Sequence, residues 1–128
     1  MAERLLLDTH ALIWALADPD ELSTASRDAI ESPATTVLVS PASVYEINLK
    51  VALGKLHAPA IDLVSSIAAV GFTELPLRLA HAALAGCLSF HHRDPFDRLL
   101  IAQAQLEDLT VVTRDTHFTR YGLSVLAC

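Results

Sequence analysis

Four acidic residues of this sequence lie just after short apolar segments or in the first two turns of predicted helices. They are Asp8, Glu46, Asp97 and Asp115. Carboxylates in such positions could bind one cation together. Clustered carboxylates repel one another and are costly to bury unless protons or cations neutralise them. Oxygen ligands without nearby thiolates favour Mg²⁺ or Mn²⁺ over softer metals. The sequence therefore predicts an acidic cation site, provided that the fold brings the four segments together.

The elements that must position these acids are short strands alternating with helices. Strands are predicted at residues 4–7, 37–39, 72–75, 110–113 and 124–127. Helices are predicted at residues 9–16, 24–31, 41–53, 59–70, 77–85 and 95–107. Apolar strands separated by helices are typical of a parallel sheet that is covered on both faces. We therefore predict an α/β fold, in one domain over residues 1–128, with a parallel β-sheet and helices on both faces.

Ligands of parallel α/β sheets bind outside the carboxyl ends of the strands. Asp8 ends the first predicted strand, and Asp115 lies two residues beyond the fourth. Glu46 lies in the helix after the second strand, and Asp97 lies in the first turn of a helix that Asp94 caps. If these strands are neighbours, the four carboxylates converge on one cleft.

The composition limits the partners of the chain. With 128 residues, 52% of them hydrophobic, the chain can bury a core as one domain. Its formal net charge of −6 argues against a protein that holds nucleic acid by a general positive field. A bound cation would reverse the sign of the field locally, so an acidic nuclease remains consistent with the composition.

The location of the protein is predicted from its cysteines and its apolar segments. Cys87 and Cys128 are too few for a disulfide framework and lack the spacing of a zinc site, which favours a reducing compartment. Asp8 and His10 interrupt the apolar N-terminal stretch, and no segment approaches the ~18 apolar residues of a membrane span. We expect a cytoplasmic protein without a membrane partner.

Four motifs in order resemble those of one family. LLLDTHALIW, SVYEINLK, HHRDPFDRLLIAQA and VVTRD are similar to motifs of PIN-domain ribonucleases, most closely the VapC-type toxins of toxin–antitoxin pairs. The resemblance extends from Leu5 to about Leu126. It implies a PIN fold and a Mg²⁺- or Mn²⁺-dependent endoribonuclease that hydrolyses RNA phosphodiester bonds. It also implies a homodimer and a small cognate VapB-type antitoxin.

The resemblance assigns roles to residues by matching position. Asp8, Glu46 and Asp97 match the principal acidic ligands, and Asp115 matches a fourth position that varies more among such proteins. Three further residues are expected to orient the ligands or to contact the cation indirectly: Thr9, Asp94 and Thr113. Four basic residues are expected either to contact RNA phosphates or to balance the acids: Arg93, Arg98, Arg114 and Lys50.

Each acid also has an ordinary structural explanation. Glu46 is spaced for a helix ion pair with Lys50, and Asp97 is placed to favour the dipole of its helix. These explanations do not account for a common position at one sheet edge. The adjacent His91 and His92 are expected to be solvated in a polar loop, and Trp14 is expected in the core or at a dimer interface.

Three other functions remain as alternatives. A phospho-acceptor receiver-like signalling module needs a lysine after a late strand, but the only lysines are Lys50 and Lys55, near the middle of the chain. A dehalogenase-type phosphatase needs a second aspartate two residues after Asp8, where His10 stands. A catalytically inactive PIN-fold interaction domain is the third alternative, and the four retained acids argue against it.

Overall fold

Short strands alternate with helices along the described parts of the chain. The computed structural model describes residues 3–57 and 62–128. The strands are β1 (Glu3–Leu7), β2 (Thr35–Val39), β3 (Thr73–Glu74), β4 (Thr110–Thr113) and β5 (Val125–Ala127). The α helices are α1 (Thr9–Ala17), α2 (Thr24–Glu31), α3 (Pro41–Ala52), α4 (Leu63–Ala69), α5 (Leu79–Cys87) and α6 (Pro95–Glu107). Two 3₁₀ helices cover Pro19–Glu21 and Thr116–Tyr121.

The five strands form one parallel sheet in the order β3-β2-β1-β4-β5. β1 is therefore central, with β2 on one side and β4 on the other. Leu5, Leu6 and Leu7 of β1 are completely buried, as expected for a strand that is covered on both faces. The carboxyl ends of β2, β1 and β4 lie side by side, which places the residues after these strands at one edge.

Two hydrophobic cores lie on opposite faces of the sheet. Leu6 packs on one face with residues of α5 and α6, including Leu100. Leu5 and Leu7 pack on the other face with residues of α1 and α3, including Leu12. Successive side chains of a strand point to opposite faces, so the three leucines of β1 serve both cores. The predicted α/β fold with helices on both faces is confirmed.

The helices that carry Glu46 and Asp97 begin at side-chain caps, Ser40 for α3 and the predicted cap Asp94 for α6. The Ser40 hydroxyl accepts a hydrogen bond from the Ala42 backbone N–H at 3.1 Å and begins α3. Asp94 Oδ1 accepts from the backbone N–H groups of Phe96 and Asp97 at 2.9 and 3.0 Å and begins α6. Both caps precede a proline at the first helical position, where its missing N–H costs no hydrogen bond.

Several predicted boundaries were wrong. The helix predicted at residues 77–85 was expected to end before Gly86, but α5 continues through Gly86 to Cys87. α4 begins at Leu63, because Asp62 adopts an extended conformation and caps it; the predicted start at Pro59 lies outside the described residues. Between the strands predicted at residues 110–113 and 124–127, where no helix was predicted, the chain forms the 3₁₀ helix Thr116–Tyr121.

The helices found in residues 3–57 and 62–128 are all too short or too polar to cross a membrane.

Candidate metal centre

The four predicted acids line one cavity at the carboxyl ends of β1, β2 and β4. The cavity has a volume of about 360 Å³. Its lining residues are Asp8, Thr9, His10, Trp14, Glu46, Lys50, Asp94, Asp97, Arg114 and Asp115. Five of these residues are acidic, so the cavity combines a high density of negative charge with partial burial.

Asp8 is held at the junction of β1 and α1. Its backbone N–H donates to the Val112 carbonyl of β4 at 3.1 Å, which continues the strand pairing. Its Oδ1 accepts from the Ala11 backbone N–H at 2.8 Å and caps α1. Burial raises the pKa of Asp8 above its ordinary value, against the lowering effect of a hydrogen bond with the Thr113 hydroxyl. The carboxylate is therefore fixed in position but poorly solvated.

Both carboxylate oxygens of Glu46 have partners. Glu46 is only 4% exposed. Its Oε1 accepts from the Thr9 hydroxyl at 2.6 Å, and its Oε2 forms an ion pair with Lys50 one helical turn away. The hydrogen bond with Glu46 raises the pKa of Lys50. Thr9 therefore orients this carboxylate, while Lys50 supplies the nearest positive charge.

Asp97 is the acid most affected by its neighbours. Burial, followed by the charges of Asp94, Glu46, Asp8 and Asp115, raises its pKa to about 8. Near neutral pH this carboxyl group therefore keeps its proton unless a cation displaces it. A titratable group so strongly perturbed in a cleft is typical of functional sites.

We expect Asp97→Asn to stabilise the protein in EDTA. The pKa of Asp97 rises from its ordinary value of 3.8 to about 8 on folding, so the folded state loses stability as the pH rises through this range. Asparagine cannot ionise, so the variant escapes this loss. At pH 8 its melting temperature should exceed that of the wild type by roughly 3 to 8 °C. The difference should shrink toward pH 5, and a lower melting temperature at pH 8 would assign Asp97 a structural role.

Asp115 accepts three hydrogen bonds from two histidines. Its Oδ1 accepts from the His117 backbone N–H at 2.8 Å and lies 2.6 Å from His117 Nδ1. Its Oδ2 lies 2.7 Å from His92 Nε2. Burial alone would raise the pKa of Asp115, but these hydrogen bonds outweigh it and lower the pKa below its ordinary value. Asp115 is therefore ionised in conditions where Asp97 is not.

His92 contacts the acidic site, although the sequence analysis expected it to be solvated. Its side chain is 13% exposed, and its Nε2 lies 3.0 Å from Asp97 Oδ2. The Asp94 backbone N–H donates to His92 Nδ1 at 3.1 Å, which fixes the ring. The expectation was correct for the exposed His91. His92 lies two residues before the helix cap Asp94, and this spacing is the only local sequence signal that distinguishes it from His91.

The basic residues predicted near the site have different surroundings. Lys50 and Arg114 line the cavity, and the Arg114 guanidinium lies 4.1 Å from the centre of the Trp14 ring. Trp14 was expected in the core or at a dimer interface; it packs against the core on the α1 face of the sheet and also forms part of the cavity wall. Arg93 is exposed and is not among the lining residues.

Arg98 was expected to border the cleft, but the structure gives it a different role. Arg98 is only 7% exposed. Its guanidinium donates to four backbone carbonyls at 2.8 to 3.2 Å, one in the last turn of α5 and three between α5 and α6, namely those of Ala85, Leu88, Ser89 and His92. It also lies 4.3 Å from the centre of the Phe90 ring. These contacts enclose the charge and leave it no face for an RNA phosphate.

Comparison with known proteins identifies the family. The sequence matches the PIN domain family over residues 5–123. A structure of FitAB bound to an IR36 DNA fragment is 25% identical, with a TM-score of 0.67, over 96% of this chain and 94% of that chain. VapBC2 from Rickettsia felis, bound to a DNA fragment from its promoter, is 17% identical, with a TM-score of 0.72, over 97% and 98%.

DNA-bound VapBC from Salmonella typhimurium is 19% identical, with a TM-score of 0.69, over 98% of both chains. No curated protein matches this sequence. The family match covers most of the chain, and the parallel sheet agrees with the fold of the similar structures. This chain therefore belongs to the PIN domain family.

Proposed function

We propose that this PIN domain is a VapC-type toxin that cleaves RNA as a metal-dependent endoribonuclease. One observation carries the proposal: four segments distant in sequence place their carboxylates in one cavity of about 360 Å³. Within this cavity the pKa of Asp97 rises to about 8 because of burial and the neighbouring acids. A divalent cation that binds there displaces this proton and stabilises the ionised carboxylate. A carboxylate with a purely structural role would instead be paired within the protein.

The donors around the cavity fit a hard divalent cation. The acidic lining residues offer carboxylate oxygens, and the lining contains no cysteine among the described residues. Oxygen donors of this kind suit Mg²⁺ or Mn²⁺. In the proposed site Asp8, Glu46 and Asp97 hold the cation, with Asp115 beside them. When bound, such a cation stabilises negative charge on a phosphoryl oxygen and lowers the pKa of water.

In the proposed site the surrounding residues orient the carboxylates and supply positive charge for the substrate. The Thr9 hydroxyl holds Glu46 Oε1, so this side chain is already oriented before a ligand arrives. Lys50 and Arg114 provide positive charge at the cavity wall, where RNA phosphates would otherwise meet only acids. The Arg114 guanidinium lies over the Trp14 ring, so the ring holds this positive charge at the cavity wall. These contacts support the approach of an RNA phosphate to the acids without a basic protein surface.

We also propose a VapB-type antitoxin as the partner and a homodimer as the working form. FitAB and VapBC, the proteins of similar fold, are named as two-component complexes. An apolar cavity of about 420 Å³ lies between α3 and α4, separate from the acidic one. Its residues Tyr45 and Val64 are 61% and 70% exposed. Such an exposed apolar surface suits a protein partner.

Purified protein incubated with structured RNAs tests the proposed activity. We expect cleavage with Mn²⁺ and none with EDTA, because the acids need a cation to approach a phosphate. Equal cleavage in both conditions would contradict the metal requirement. No cleavage of any RNA with Mn²⁺ would favour the inactive interaction domain instead. Single-stranded and duplex DNA in parallel reactions show whether the activity is specific for RNA.

A further inference from the structure

The Lys50 ammonium is bound to a carboxylate inside the acidic cavity. Its Nζ donates a hydrogen bond to Glu46 Oε2, one turn earlier on α3, and forms an ion pair with this side chain. The other oxygen, Oε1, accepts from the Thr9 hydroxyl at 2.6 Å. Glu46 is buried, whereas 36% of the Lys50 side chain is exposed. Glu46 is therefore fixed from both sides, and the positive charge on one side comes from the protein itself.

Lys50 is the cation that balances the buried Glu46. A buried carboxylate is stable as an anion only beside a positive charge. Among the described residues that line the cavity, the lysine and arginine side chains are those of Lys50 and Arg114. The Arg114 guanidinium donates instead to the backbone carbonyls of Glu21 and Cys128. The balance of charge at Glu46 therefore depends on Lys50.

This ion pair differs from an ordinary one on a helix. Glutamate and lysine four residues apart on an exposed helix face stabilise the helix only slightly. Here Glu46 is buried, and both residues line the cavity. The negative charges of Asp94 and Asp97 also act on Lys50. The ammonium thus lies among the carboxylates that the proposed cation would bind.

The ammonium and a divalent cation compete for the same surroundings. A cation held by Glu46 would lie within a few ångströms of Lys50 Nζ, where like charges repel strongly. The Thr9 hydroxyl is uncharged, so its hydrogen bond to Oε1 does not oppose the ion. The Lys50 side chain can move away, because its four-carbon stem is flexible and partly exposed. Lys50 is therefore the partner of Glu46 that must yield to the ion.

We propose that Lys50 competes with the divalent cation for Glu46 and is released from this carboxylate when the cation binds. The competition makes cation binding weaker than the acids alone would allow, because each ion that binds displaces a charge of the protein. The released ammonium stays at the cavity wall, where an RNA phosphate can contact it. The inference rests on the proposed function, because it concerns the cation of that site.

Calorimetric titration with Mn²⁺ alone tests the competition. Lys50→Met keeps most of the side-chain volume but removes the charge. We expect this variant to bind Mn²⁺ roughly tenfold more tightly than the wild type, because the ion no longer displaces an ammonium. Lys55→Met is the matched control, since Lys55 is exposed and does not line the cavity. Its affinity for Mn²⁺ should equal that of the wild type.

The outcomes of this titration separate the inference from the proposed nuclease. If the wild type binds Mn²⁺ and Lys50→Met binds it no more tightly, the competition is wrong and the metal site stands. If neither protein binds Mn²⁺, the proposed function fails and the inference fails with it. Binding of Mn²⁺ by Lys50→Met alone would support the competition in its strongest form.

Acylation of lysine side chains tests the release in the unmodified chain, so it applies even if Lys50→Met does not fold. The sequence contains two lysines, and mass spectrometry can follow Lys50 and Lys55 separately. With an acetylating N-hydroxysuccinimide ester, we expect Lys50 to react several-fold faster with Mn²⁺ than with EDTA, because an ion-paired amine reacts slowly. Lys55 should react at the same rate in both. An unchanged rate for Lys50 in protein that binds Mn²⁺ would overturn the release.

Discussion

Asp97→Asn is expected to lower the rate of RNA cleavage with Mn²⁺ by roughly 10³-fold, which corresponds to several kcal/mol of transition-state stabilisation. The substitution keeps the shape of the side chain but removes the negative charge that attracts the cation. It also removes the carboxyl group whose pKa burial and the neighbouring acids raise to about 8. Rates are measured under single-turnover conditions with a structured RNA at saturating protein.

The control for this variant is Asp28→Asn, which changes the net charge equally. Asp28 is exposed on α2 and does not line the acidic cavity. We expect it to cleave at the rate of the wild type. Because Asp97→Asn is also expected to melt at a higher temperature in EDTA, unfolding could not explain its loss of activity. Cleavage by Asp97→Asn within threefold of the wild-type rate would remove Asp97 from the proposed ligand set.

Arg98→Ala should lower the free energy of unfolding by about 3 kcal/mol. The Arg98 guanidinium donates to four backbone carbonyls at the end of α5 and in the segment before α6. The truncation leaves them without their donor, and two of these bonds, to Ala85 and Leu88, are buried. It also removes the contact between the guanidinium and the Phe90 ring. Urea unfolding followed by circular dichroism measures the loss.

Arg93→Ala is the matched control, because Arg93 is exposed in the same loop. Its free energy of unfolding should change by less than about 0.5 kcal/mol. If Arg98→Ala unfolded at the same urea concentration as the wild type and bound RNA more weakly, Arg98 would be an RNA contact after all. The pair of variants therefore separates the two roles of arginine that the sequence left open.

The strands and most helix boundaries follow from local signals in the sequence. Short apolar segments separated by helices predicted a parallel sheet. The caps Ser40 and Asp94 each precede a proline that begins a helix. Such signals act within a few residues, so they can be recognised without the fold. The convergence of the four acids was predicted from one further rule: the carboxyl ends of parallel strands lie at the same edge of the sheet, where ligands bind.

The surroundings of His92 and Arg98 could not be predicted in this way. His92 meets Asp115 across 23 positions of sequence, a contact that depends on how the loop before α6 packs beside β4. Arg98 looks from the sequence like one more cation beside the acids. The side of α6 from which the Arg98 side chain projects decides whether it faces the cavity or the loop carbonyls. How α6 packs against the other helices determines that side. Gly86 shows the same limit, because its neighbours in α5 outweigh its intrinsic tendency to end a helix.

The central position of β1 also determines when the acidic site can exist during synthesis. β1 is made long before its neighbour β4, and Asp115 follows β4 in the sequence. A ribosome-bound chain that has not yet exposed β4 therefore lacks one wall of the cavity. For a protein proposed to cleave RNA, this order of assembly delays the activity until β4 and Asp115 have been translated.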